Sequence, residues 1–162
     1  MRTGTIGNVL LAWLAAVITA TVLGSVVQTQ FNLASIASLD VAIPFGTRLL
    51  TTGQDIVNFG MLYGVIVAIT YIIAFAIAAG LAARLTLSRP ALYVAAGALS
   101  IAALIVLLNA VLPMTAIAAT RSTWAVLLMA LAGAPAGWVY FRVRARAAAH
   151  AEVSDGSGDQ RR

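Results

Sequence analysis

Long unbroken apolar runs, rather than any alternation of apolar and polar positions, dominate this chain. Residues 9–27, 61–83, 91–112 and 123–141 contain no Asp, Glu, Lys, Arg or His. A helix needs about 20 mostly apolar residues to cross about 30 Å of hydrocarbon, so each run predicts a membrane span. The fold expected is all-α: an integral membrane bundle of four transmembrane helices. A signal peptide is the rival reading of the first run, but its apolar stretch exceeds the usual 7–15 residues. An uncleaved anchor is expected instead.

The polar positions between the runs carry their own pattern. Residues 28–60 form a loop too long for a turn and too apolar for a solvated linker, and such loops are usually functional or packed. Before Pro44, Leu33, Ile36 and Ala37 share one helical face. After it, Phe45, Leu49, Ile56 and Gly60 recur near helical spacing, widened by Leu50 and Val57, with Arg48, Thr51, Thr52, Asp55 and Asn58 opposite. This amphipathic pattern predicts a helix lying on the outer surface and leading into the second span, with Gly53 marking a bend. The link between the second and third spans is a tight turn, Leu87-Ser88-Arg89-Pro90, with the proline suited to a first helical turn. Residues 1–151 thus read as one membrane domain. Residues 152–162, polar and Gly-rich, read as a disordered tail.

Arginine placement sets the orientation. Alternating spans put Arg2, Arg84, Arg89, Arg142, Arg144, Arg146, Arg161 and Arg162 on one side and only Arg48 and Arg121 on the other. The positive-inside rule makes the first side cytoplasmic. Both termini are then cytoplasmic, in the inner membrane of a bacterium; the Ala-rich, Arg-only composition suits a GC-rich bacterial genome. Trp124 and Tyr63 would mark the outer interface, and Tyr93, Trp138 and Tyr140 the inner one. The net charge of +5 sits at span ends, which argues for topology and against nucleic acid as a partner.

Composition narrows the chemistry. Of the 162 residues, 62% are apolar and 9% charged, far below the roughly 25% charged residues of soluble domains. The chain has no Cys, no Lys and one His, His150. Disulfide exchange, thiolate metal sites, Schiff bases and haem held between paired histidines are excluded. No cofactor is expected. Asp40 and Asp55 are the only acids outside the tail, too few for an acid–base or metal constellation, so no enzyme is expected. The chain also lacks the intramembrane glutamate that couples protons to substrate in small multidrug-resistance-like exporters.

Candidate binding residues cluster on the outer side. Gln30, Asn32, Arg48 and Asp55 belong to the outer loop, Asn109 lies at similar depth in the third span, and Arg121 precedes the fourth. Arg48 and Arg121, each following a Thr, oppose the positive-inside bias. The expectation is that they converge with Asp55, Asn32 and Gln30 on one outward-facing anion site. The competing readings are separate headgroup anchors and, for Asn109, hydrogen-bonded glue between helices. The segment 42–48 before the second span and 116–121 before the fourth both begin Ala-Ile and end Thr-Arg, as an old duplication or chance would produce. Gly60 with Gly64, and Gly133 with Gly137, clear helix faces for close packing, and Pro135 should kink the fourth helix. The reading is a non-catalytic inner-membrane subunit, stabiliser, or lipid- or partner-binding module. Its partners would be membrane lipid, a membrane protein or further copies of itself. An oligomeric uncoupled transporter or pore is the alternative.

Overall fold

The computed structural model describes residues 6–111 and 123–159, with 151–159 as backbone alone. Four helices follow in order: α1 Ile6–Ala37, α2 Phe45–Arg84, α3 Arg89–Val111 and α4 Thr123–Asp159. The fold is an all-α four-helix bundle, and every helix is long and apolar enough to span a membrane. Each helix packs on its neighbours in sequence, and α4 closes the ring on α1. The α3–α4 and α1–α4 seams are the most extensive and α2–α3 the least.

The distribution of side chains identifies the solvent. Val65, Ile72, Ile73, Val106 and Leu107 are each more than half exposed. The buried set mixes small residues with aromatics: Ala12, Ala16, Ala20, Tyr63, Tyr71, Phe75, Tyr93, Ala136 and Tyr140. Large aliphatics facing outward and small residues inward is the arrangement for lipid, where close backbone approach replaces the hydrophobic drive between helices. The chain is therefore a membrane protein. At the α3–α4 seam the backbones nearly meet: a Cβ on Gly97 would overlap the Gly133 carbonyl, and one on Gly133 the Gly97 carbonyl. A Cβ on Gly137 would strike the Tyr93 carbonyl. Gly60 and Gly64 face Thr21 on α1, as their spacing predicted. Trp13 fixes the α1–α2 register by donating to the Ala68 carbonyl at 3.2 Å.

Three expectations are corrected. The helix expected after Pro44 is present, as α2 starts at Phe45 and runs into the second span, but α1 also continues to Ala37, so only 38–44 of the expected loop is irregular. Gln28, Gln30 and Asn32 end the apolar run without ending the helix, because polar side chains interrupt lipid compatibility and not the backbone ladder. Asp40, at φ 60°, supplies the left-handed step that reverses the chain, a conformation Asp tolerates better than most residues. Second, Gly53 lies inside uninterrupted α2 rather than breaking it. Third, Tyr63, Tyr93 and Tyr140 are core residues at 2–6% exposure, whereas Trp124 and Trp138 do face outward. Pro135 sits within continuous α4, and that helix runs on to Asp159, into the expected tail. Residues 160–162 lie outside the described residues.

Helix lengths differ in a way that positions the ends. At 1.5 Å per residue, α1 and α2 are about 48 and 60 Å long, while α3 is about 35 Å. The α1–α2 pair forms a hairpin closed by the 38–44 turn. The opposite end carries the 85–88 turn and Arg84, Arg89, Arg142, Arg144 and Arg146.

Candidate functional site

Two polar regions emerge, one at each end of the bundle. At the hairpin end, α1 and α2 are laced by side chains. The Thr29 hydroxyl lies 2.7 Å from Asp55 Oδ2 and 2.8 Å from the Ser25 carbonyl, so one hydrogen serves two acceptors. Gln30 donates to Thr52 Oγ1 at 3.1 Å, and Thr52 donates onward to the Arg48 carbonyl at 2.8 Å. Thr29 is fully buried and Gln28 nearly so. Thr21 Oγ1, Ser25 Oγ and Gln28 Oε1 have no hydrogen-bond partner among the described residues.

The structure thus brings Gln30 and Asp55 into one seam, with the Arg48 backbone at its edge. Asn32 is half-buried one turn beyond Thr29 on α1. Asn109 is exposed near the end of α3. Arg121 lies outside the described residues. The bonded partners of the seam, Thr29 and Thr52, were absent from the sequence-based set. They lie on the faces of α1 and α2 that meet, which only the continuous helices reveal.

At the arginine end the four helices splay around a cleft of about 800 Å³. Asn8 and Val9 of α1, Ala79, Ala82 and Ala83 of α2, Arg89, Pro90 and Tyr93 of α3, and Phe141, Arg144 and Ala145 of α4 line it. The alanines leave the space open, since no longer side chain fills the gap between the helix ends. Below it lies an aromatic floor: Phe75 stacks on Tyr140 at 4.2 Å, Tyr93 meets Tyr140 at 5.1 Å, and Tyr93 meets Phe141 at 6.3 Å. This floor ties α2, α3 and α4 together and holds the cleft walls.

The cleft's polar groups are chiefly donors. Arg144 is half-buried, hydrogen-bonds the Tyr93 hydroxyl and lies 5.8 Å over the Tyr140 ring. Arg89 begins α3 and also acts electrostatically on Tyr93. No carboxylate is among the described lining residues. Arg142 lies 5.0 Å over exposed Trp138, its stem running along apolar surface as interfacial arginines do. Such a set of donors can hold an anion. Among the described residues, no three of His, Cys, Asp or Glu come together to hold a metal ion.

Sequence reasoning passed over Arg89 and Arg144 because their count served only to orient the chain. The signal was present: antiparallel spans put the start of the third and the end of the fourth on one side. No protein-family model, curated protein or solved structure matches this chain.

Proposed function

We propose that this chain is a non-catalytic, multi-pass protein of the bacterial inner membrane that acts as a binding module, with both termini cytoplasmic. Its recognition site is the cleft at the arginine end, which takes an anionic group. The observation that carries this reading is the cleft's composition: Arg89, Arg144 and Tyr93 line a space of about 800 Å³, with no carboxylate among the described lining residues. Guanidinium groups match carboxylate and phosphate oxygens with paired donors. The orientation rests on arginine placement, eight against two, which puts the cleft at the cytoplasmic face. The binding module would serve as a subunit, a stabiliser or a lipid sensor according to what it holds.

The alternative, an oligomeric pore or uncoupled transporter, draws on Thr21, Ser25 and Gln28, whose polar atoms lack partners along one side of α1. That row stops at buried Ala20, followed by Ala16 and Ala12. The polar row on α1 is thus broken by three alanines rather than continuous, and the binding reading is favoured.

A photo-cross-linking residue at Ala145, compared with one at Leu50, tests the choice in native membranes. Adducts of lipid or partner mass from Ala145 alone support the binding module. Adducts to a second copy from both positions, with nothing else captured, support the pore.

A further inference from the structure

We infer that the ligand of the arginine-end cleft is the phosphate of an anionic membrane lipid, held jointly by Arg89 and Arg144. This rests on the anion-binding reading above and names its ligand.

Four observations converge. First, the two guanidinium groups come from different helices, α3 and α4, and line one cavity. The two non-bridging oxygens of a phosphodiester accept paired guanidinium donors as a carboxylate does. Second, Arg144 is already fixed by the Tyr93 hydroxyl and the Tyr140 ring. A held guanidinium loses little freedom on binding, which favours affinity. Third, the cavity of about 800 Å³ is several times larger than a bare phosphate. Its alanine walls suit a glycerol backbone or the start of an acyl chain. Fourth, Trp138, capped by Arg142 at 5.0 Å, lies exposed on the same end of α4, where a headgroup region would meet it. Arg89 also opens α3, so the helix dipole adds to its charge.

Among the described residues, no carboxylate lines the cleft beside Arg89 and Arg144. A phosphodiester from the surrounding leaflet is the anion available there at high local concentration.

The test uses the full chain in mild detergent, with native mass spectrometry against three probes: phosphatidylglycerol, phosphatidylethanolamine and inorganic phosphate. Phosphatidylglycerol should be retained in preference to phosphatidylethanolamine. Each of Arg89→Gln and Arg144→Gln should cut that retention roughly tenfold, as expected for loss of a charge-assisted contact. A double Arg142→Gln, Arg146→Gln variant removes twice the charge of either single variant, outside the cleft, and should retain the lipid. Equal loss in that double variant would reduce the effect to general surface charge and overturn the proposal. Inorganic phosphate competing as well as the lipid would overturn the lipid assignment while leaving the anion site standing. Failure of every anion to bind, with helical circular dichroism unchanged, would sink both. Tyr93→Phe separates positioning from folding: it should weaken lipid retention while leaving the unfolding midpoint close to that of the parent.

Discussion

The two ends of this bundle solve the same problem in opposite ways. Both must accommodate polar side chains at a membrane boundary. The hairpin end closes its groups on one another: Thr29 reaches Asp55, and Gln30 reaches Thr52. The arginine end gathers cations around a cleft with no carboxylate among its described lining residues. Side chains bonded across a seam contribute to holding a fold, even though Thr21, Ser25 and Gln28 beside them keep polar atoms without a partner among the described residues. The proposed recognition site lies at the end with the surplus of arginines, away from the end where polar residues are most numerous in sequence.

That contrast can be broken in several ways. The largest effect is all-or-none. A reporter enzyme active only in the periplasm should be silent when fused after Arg162 and active when inserted beside Ser38. The reverse pattern would place the cleft outside and remove the cytoplasmic leaflet as its source of ligand. Next comes packing. Gly137→Leu forces a side chain into the Tyr93 carbonyl and should cost more than about 3 kcal/mol of unfolding stability in detergent. Leu107→Ala, at a 61% exposed position, should cost less than about 1 kcal/mol, since it faces the same apolar medium in both states. Equal costs would mean that the α3–α4 approach does not set the walls of the cleft.

Smaller effects separate the two ends. Thr29→Val should lower stability by about 1 kcal/mol, the net worth of a buried hydrogen bond, without altering anion retention. Gln30→Ala should cost only about 0.5 kcal/mol, typical of interhelical polar contacts in membranes. If either substitution reduced lipid retention as much as Arg144→Gln does, the division of labour between the ends would fail. Chemical or thermal unfolding followed by circular dichroism, with retention measured on the same samples, reads both quantities.

The sequence made the four spans and their lipid-facing character legible, because charge-free runs of this length have one solvent. It misplaced the helix ends. Hydropathy reports contact with lipid, so α1 seemed to stop where Gln28 and Gln30 begin, although those residues suit a helix as well as the valines before them. Burial direction was equally hidden: Tyr63, Tyr93 and Tyr140 lie near the depths expected of interfacial tyrosines but point into the core. The seam was half legible, since Asp55 and Gln30 stood out as polar while Thr29 and Thr52 looked ordinary. The cleft was not legible at all. It depends on Arg89 and Arg144, 55 residues apart, and on alanines whose role is to leave space.

The unbroken course of α2 has a mechanical corollary. A helix of about 60 Å without an internal hinge behaves as a lever. Its tip is at Phe45, and its foot, at Ala79, Ala82 and Ala83, is one wall of the cleft. A tilt of about 5° around the midpoint swings each end sideways by roughly 2.5 Å, given that half-length. Displacements of that size decide whether a guanidinium reaches an oxygen or misses it.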